Sequence, residues 1–586
     1  MRLLPPLLLA LLLVACDRDV SSASNAGGAS VSAAEGRPGN GEAMVAAANP
    51  YAVDAGLEML RRGGSAVDAA IATHAVLGLV EPQSSGIGGG GFMLNYHAET
   101  GIVAAFDGRE TAPRDADPRM FLDEDGVELS FIDRVQSGHS VGVPSAVALY
   151  HAAHEAFGAL PWAELFEPAI ELADAGFEVS PRLHDLLVRM SQFTRLDENP
   201  VTAAYFFPDG EALPVGTVRR NPEYADMLRR VAEQGPAGFY QGPIAELIIE
   251  GAREAPRPGA LAQADLDAYR VEVREPVCGP YRSHRVCSMP PPSSGSAVVQ
   301  ILGLIEGLSP EPLTNDVEGW STFIDAMKLG YADRDHYVAD ADFVPVPVDE
   351  LIHRDYLAAR VTDRPAPEIE AMPGDPGEVL HGEPIRDMWA FDASGRADGT
   401  THLSVVDAAG NAVSFTASVE FPFGSQRMVS GFLLNNQLTD FASHPEIGNQ
   451  LVANAVAPGK RPRSSMTPTL VFDAAGDLFM VTGSPGGNSI IAYTLKSLIG
   501  VIDFGLTAAG AVELPNMIAR GLPVQVETAR TPTSLLEGLQ ALGYPINERG
   551  GENSGLHTIV VRPSPIGLEG AADPRREGRA VRLDSE

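Results

Sequence analysis

Residues 399–418 read Gly-Thr-Thr-His-Leu-Ser-Val-Val-Asp-Ala-Ala-Gly-Asn-Ala-Val-Ser-Phe-Thr-Ala-Ser, and this stretch decides the fold class. Thr401 to Val406 is rich in β-branched residues and reads as a strand. Asp407 to Asn411 is a turn, and Ala412 to Ser418 returns as a second strand. The residues just before, Asp392-Ala393-Ser394-Gly395-Arg396-Ala397-Asp398-Gly399, are small and polar, the kind of connection that tolerates being cut. A threonine at such a junction has a chemical use. Its hydroxyl is a poor nucleophile without a neighbouring base. Breaking the bond before Thr400 would supply one, because the freed α-amino group has a pKa of about 7.7–8.0 in model compounds. Gly399 leaves room at the scissile carbonyl. Taken alone the signal is weak, since Thr-Thr at the start of a strand is common.

Outward from this hairpin the chain alternates helices and strands. Asn49 and Pro50 form an N-cap and first turn, and Gly63-Gly64 stops that helix after Arg62. Ser65 begins another helix toward Leu79, ended by Pro82. Six residues, Gly86-Ile87-Gly88-Gly89-Gly90-Gly91, then precede the strand-like Phe92 to Tyr96. A phosphate-binding loop needs the opposite order, strand first and helix after, so these glycines read as room for close backbone approach. The middle, 143–395, carries mostly helical patterns such as 160–175 and 322–335. Further strands are legible at 469–472, 478–481 and 557–561. No solenoid repeat is present. The pattern predicts mixed α/β structure with antiparallel strands stacked between helices.

Composition narrows the partners. Of 586 residues, 77 are acidic and 42 basic, a formal net charge of -35 that disfavours nucleic acid and acidic membranes. The first residues read as an address: Arg2 precedes an apolar run from Leu3 to Ala15 that is too short to span a bilayer. Leu13-Val14-Ala15-Cys16 resembles a bacterial lipobox, with Cys16 as the lipidated residue; a plain secretory leader is the alternative. Residues 17–41 read as a flexible tether. The two remaining cysteines, Cys278 and Cys287, flank a turn between strand-like runs. An exported protein allows a disulfide there, and two buried thiols are the alternative. His151 and His154 with Glu155 lack the order of a zinc protease site and read as an ordinary helix face.

Eight blocks then resemble the γ-glutamyltranspeptidases, of the N-terminal nucleophile hydrolase superfamily. In order they are GGSAVDAAIATHAVLGLVEPQSSGIGGGGFML, DGRETAP, SMPPPSSG, DAMKLGYADRDHYVADADFV, GTTHLSVVDAAGNAVSFT, FLLNNQLTDF, PGKRPRSSMTPTLV and TGSPGG, and the resemblance covers residues 42–563. It implies a four-layer αββα sandwich with additional helices in the heavy subunit. It also implies self-cleavage between Gly399 and Thr400, into a heavy subunit (42–399) and a light catalytic subunit (400–586). Thr400 would be the nucleophile and Gly486 and Gly487 the oxyanion hole. Arg109 would clamp the substrate α-carboxylate, with Ser464 and Ser465 as further donors, and Gln437 and Asp440 would hold the α-amino group. The implied donor is glutathione or a relative, and the implied acceptor is water, an amino acid or a peptide. No metal or organic cofactor is needed, and a lipid anchor would be the sole membrane link.

Two positions depart from the family pattern. Ser418 stands where familiar members have threonine, which keeps the hydroxyl beside the nucleophile. Glu420 stands where they have asparagine, a carboxylate that would repel the substrate carboxylate unless it turns toward Arg109 or the substrate amino group, or holds a proton. The stretch from Ala442 to Asn449 is shorter than the lid of well-known bacterial relatives. These changes leave open an acylase for a glutaryl or related amide; a binding lipoprotein without turnover is a separate alternative, against which intact Thr400 and Gly486-Gly487 speak.

Overall fold

The computed structural model describes residues 41–392, 399–549 and 554–583. Cys16, the leader and nearly all of the tether lie outside the described residues. Two antiparallel sheets organise the chain. The seven-stranded sheet runs in the order Arg579–Leu583, Ala43–Ala47, Gly399–Val406, Ala412–Glu420, Gly90–His97, Ile102–Gly108, Glu272–Arg274. The six-stranded sheet runs Leu568–Ala572, His557–Val561, Leu478–Thr482, Thr469–Phe472, His284–Ser288, Val277–Tyr281.

Alternation along each strand builds the layers, because successive side chains point to opposite faces. Val45, Ala47, Met93, Leu403, Val405, Val413 and Phe415 pack with the helices Pro50–Arg61, Ala66–Val80 and Ala146–Phe157. Their neighbours Met44, Ala46, Phe92, Leu94, Val406 and Ala412 face the other way and meet Leu470, Phe472, Val481 and Ile559 of the second sheet. That sheet's far face, through Val286, Val471, Met480 and Val560, packs on the helices Gly295–Leu308, Val317–Tyr337 and Ile490–Ile502. The result is an αββα sandwich.

Local signals set the helix ends. Asn49 Oδ1 accepts from the Tyr51 N–H at 3.0 Å. Ser65 and Asp68 form a reciprocal capping box that starts Ala66–Val80. This helix is buried all round, as its apolar sequence requires. The helical pattern over 160–175 divides into a 3₁₀ turn, Trp162–Phe166, and an α-helix, Glu167–Ala175. Pro168 is the reason: without an N–H it fits a first turn and not a helix interior. Cys278 and Cys287 face each other across the hairpin at the edge of the second sheet and form a disulfide, with Cα atoms 4.1 Å apart.

Candidate active site

The two central strands of the larger sheet place Thr400 opposite Ser418. The register then slips, so that Glu420 rather than Val419 stands opposite Gly399, and Glu420 takes a left-handed φ of 81°. Such a backbone in a non-glycine residue stores strain and marks a site held by its surroundings. Gly399 is enclosed there: a Cβ would lie 2.7 Å from the Glu420 carbonyl oxygen. Gly89 is pressed as closely from the other side, where a Cβ would meet the Ser418 carbonyl oxygen at 2.1 Å.

The Ser418 hydroxyl has one proton to give and two lone pairs to receive with. It lies 2.6 Å from the Gly399 carbonyl oxygen, to which it donates, and accepts from the Glu420 N–H at 2.8 Å. Thr400 Oγ1 is 3.1 Å away. With the serine proton committed to Gly399, the threonine hydroxyl is the donor of that third contact. Thr400's own carbonyl accepts from Arg576 Nη1 at 2.8 Å.

Arg109, at the end of the strand Ile102–Gly108, is fully buried. Its Nε donates to the Pro462 carbonyl at 3.1 Å, and Nη2 to the Arg463 carbonyl at 2.9 Å and to Asp440 Oδ2 at 2.6 Å. Gln437 Nε2 shares the same carboxylate oxygen at 2.9 Å. Arg109 Nη1 and Gln437 Oε1 are buried without a hydrogen-bond partner. Buried polar atoms in that state call for an explanation, and a polar ligand supplies one. Burial pushes the neighbouring Glu110 carboxyl up to about 8, against the pull of Arg109, whose Nη1 is 3.9 Å from Glu110 Oε2.

Glu420 does not turn into an ion pair with Arg109. Its Oε2 accepts from Asn436 Nδ2, and Oε1 has no partner. Burial, then the nearby Asp440 charge, push its carboxyl well above the usual range, in the direction of the neutral form. That direction weakens the like-charge repulsion that its sequence position suggests.

Ser464, Ser465 and Gly487 complete a cleft that also takes in Thr400, Ser418, Arg109, Gln437 and Asp440. Glu420 and Gly486 are buried and not part of its lining. Gly486 has φ 129° and Gly487 φ 55°, both favourable only to glycine, and a Cβ on Gly486 would meet the Tyr493 ring at 2.4 Å. Five lining residues escaped the sequence reading: Arg334, Arg463, Met466, Asn488 and Ile490. A signal existed for the first. Arg334 lies between two aspartates in a helix buried along nearly its whole length, where an unpaired charge is untenable.

The family model described as Gamma-glutamyltranspeptidase matches residues 52–583. The chain belongs to the γ-glutamyltranspeptidase family. It is 37% identical to the glutathione hydrolase proenzyme of Escherichia coli, over 91% of this chain and 90% of that protein. It is 33% identical to the glutathione hydrolase proenzyme of Bacillus subtilis, over 93% and 92%. A solved cephalosporin acylase from Bacillus halodurans superposes with a TM-score of 0.79 at 27% identity, over 95% of this chain and 98% of that one. The protein is therefore an enzyme of the glutathione hydrolase/γ-glutamyltranspeptidase family with the N-terminal nucleophile hydrolase fold. Among the described residues no helix is long and apolar enough to cross a membrane.

Proposed function

We propose that this enzyme cuts its own chain before Thr400 and then, through that threonine, transfers γ-glutamyl groups from glutathione-like donors to water or to amines. The observation that carries the reading is the Ser418 hydroxyl, which donates to the Gly399 carbonyl while accepting from Thr400 Oγ1. A donor on the scissile carbonyl stabilises the oxyanion that forms when Thr400 Oγ attacks it. Collapse breaks the Gly399–Thr400 C–N bond and leaves an ester on Oγ with a free α-amine. Water hydrolyses the ester, giving a heavy subunit that ends at Gly399 and a light subunit that begins at Thr400.

In turnover the new α-amine takes the proton of Oγ, which attacks the γ-amide carbonyl of the donor. The Gly486 and Gly487 N–H groups stabilise the tetrahedral oxyanion, and the ammonium returns its proton to the departing amine. Water or an amine acceptor then releases the acyl group. Arg109 with Ser464 and Ser465 holds the α-carboxylate, and Asp440 with Gln437 holds the α-ammonium. The adjacent Arg109 and Asp440 charges complement those of a zwitterion. The leader and Cys16 fit export and lipid anchoring outside the cytoplasm.

A glutaryl amide is the second reading, favoured by the likeness to a cephalosporin acylase and by Glu420 in place of asparagine. It gives Asp440 no substrate ammonium to meet beside its pairing with Arg109. The test is glutamate release from glutathione by protein lacking residues 1–16, with Thr400→Ala as control. Release that requires Thr400 supports the γ-glutamyl reading. Cleavage at Thr400 without release transfers it to the glutaryl reading.

A further inference from the structure

Asp440 and Arg463 are joined twice. Arg109 makes the first link: its Nη2 donates to Asp440 Oδ2 at 2.6 Å and to the Arg463 carbonyl at 2.9 Å. Asn454 makes the second with the two ends of one amide. Its Nδ2 donates to the Asp440 carbonyl at 2.8 Å, and its Oδ1 accepts from the Arg463 N–H at 2.9 Å. The Asn454 carbonyl also accepts from the Ala442 N–H at 3.0 Å, which closes the base of the loop 443–453. Asn454 is wholly buried and takes no place in the lining of the cleft, so its bonds reach a donor only through Asp440 and the segment that begins at Arg463.

Lys460 fixes Asn454 in turn. Its ammonium donates to the Ala453 carbonyl at 2.6 Å and to the Ala455 carbonyl at 3.0 Å, the peptide groups on either side of Asn454. Lys460 is buried as well, and placing an ammonium there costs free energy that these two carbonyls help to offset. The consequence falls on Asp440. Arg109 and Gln437 both bond to its Oδ2, and Oδ1 has no hydrogen-bond partner among the described residues. The side chain is partly exposed at the cleft, which leaves Oδ1 as the oxygen with room for a ligand's donor. Its aim depends on the main chain at Asp440, and Asn454 holds that main chain. Ser464 has an anchor of its own, since its N–H donates to the Pro292 carbonyl at 2.9 Å. Loss of Asn454 is therefore felt first at Asp440.

We propose that Asn454, set by Lys460, is a positioning residue for donor specificity. It holds Asp440 where Oδ1 meets an α-ammonium, and so lets the cleft tell a γ-glutamyl donor from the same acyl chain without its amino group. The proposal rests on the γ-glutamyl reading and adds to it the part that aims the carboxylate. A carboxylate binds an ammonium through a short charge-assisted hydrogen bond, which weakens steeply with misalignment. A glutaryl chain makes no such bond and loses less when Asp440 shifts.

The experiment measures kcat and KM of the processed enzyme on γ-glutamyl and glutaryl para-nitroanilide, both followed by colour release. The wild type is expected to favour the γ-glutamyl anilide. Asn454→Leu is neutral, nearly the same size, and leaves both amide bonds unmade. It is expected to cut the ratio of the two kcat/KM values by roughly tenfold, the worth of one charge-assisted hydrogen bond, mainly through a raised KM for the γ-glutamyl anilide. Lys460→Met keeps the stem, loses the ammonium and is expected to lower the ratio in the same direction. A wild-type ratio in Asn454→Leu overturns the proposal. An equal loss on the two anilides overturns it too, because a merely structural defect lowers both. Should Asn454→Leu fail to mature, Lys460→Met decides by the same ratio, and failure of both to give processed enzyme reduces the pair to scaffold and overturns the proposal. A wild type that prefers the glutaryl anilide sinks the γ-glutamyl reading, and the proposal with it, before any variant is made.

Discussion

Arg576 Nη1 donates to the carbonyl oxygen of Thr400 across 2.8 Å, which ties a loop near the C-terminus to the residue proposed as nucleophile. Both residues are buried, so the bond is shielded from water and its loss leaves a carbonyl unsatisfied. Arg576 packs closely where it is, since a Cβ on Gly555 would touch its Cδ at 2.6 Å. Arg576→Met keeps the stem and removes the donor. It is expected to slow self-cleavage by about 10–100-fold, matching the ~1–3 kcal/mol cost of an unsatisfied buried group. A time course of precursor and subunit bands on a gel reads the rate. Cleavage at the wild-type rate would show that the Thr400 carbonyl needs no anchor.

Ser418 is the better test of the chemistry. Ser418→Ala removes the donor to the Gly399 carbonyl and the acceptor for Thr400 Oγ1 together. Loss of one oxyanion donor elsewhere costs about 10²–10³ in rate, and a comparable delay in maturation is expected here. Ser418→Thr keeps the hydroxyl and should mature normally. Intact mass against time separates the two, and an alanine variant that matures as fast as wild type sinks the assigned role.

The Thr400–Ser418 relationship is legible in the sequence because it rests on local rules. A tight turn over Asp407 to Asn411 between two strands fixes the register, and the register sets Thr400 opposite Ser418. The sandwich is legible for a similar reason: each strand alternates between two apolar layers. The irregularity at Glu420 is not. Neither Val419 nor Glu420 is a turn residue, so the burial of Glu420 against Asn436 and the upward push on its carboxyl emerge only in three dimensions. Arg334 and Arg576 escape the sequence for the complementary reason. Beyond the flanking Asp335 that pairs with Arg334, the partners that tie them to the cleft are remote along the chain, at Ser465 and Thr400, and no spacing rule connects them.

Arg109 offers a prediction on binding. Its planar guanidinium reaches the Pro462 carbonyl, the Arg463 carbonyl and Asp440 at once, a fork that lysine does not reproduce. Arg109→Lys keeps the charge and loses the geometry. KM for γ-glutamyl donors is expected to rise by roughly tenfold or more, with a smaller change in kcat. Steady-state kinetics on the processed variant decide this. An unchanged KM would mean that the α-carboxylate is held elsewhere in the cleft.

Glu110 ties the same pocket to pH. It is fully buried, both carboxylate oxygens lack hydrogen-bond partners, and burial pushes it from 4.5 up to about 8. Between these values the folded protein keeps a proton that the unfolded chain has released, so raising the pH favours unfolding across that window. The stability that Glu110 confers is complete below about pH 4.5 and lost as the pH climbs through 8. Glu110→Gln is neutral throughout and nearly the same size. The variant is therefore expected to gain on the wild type in Tm as the pH rises from 5 to 8, by at least a few degrees. Thermal melts of the processed enzymes at several pH values in that range measure the gap. A gap that stays constant would place the charged carboxylate in the folded enzyme throughout, held by Arg109 against the cost of burial.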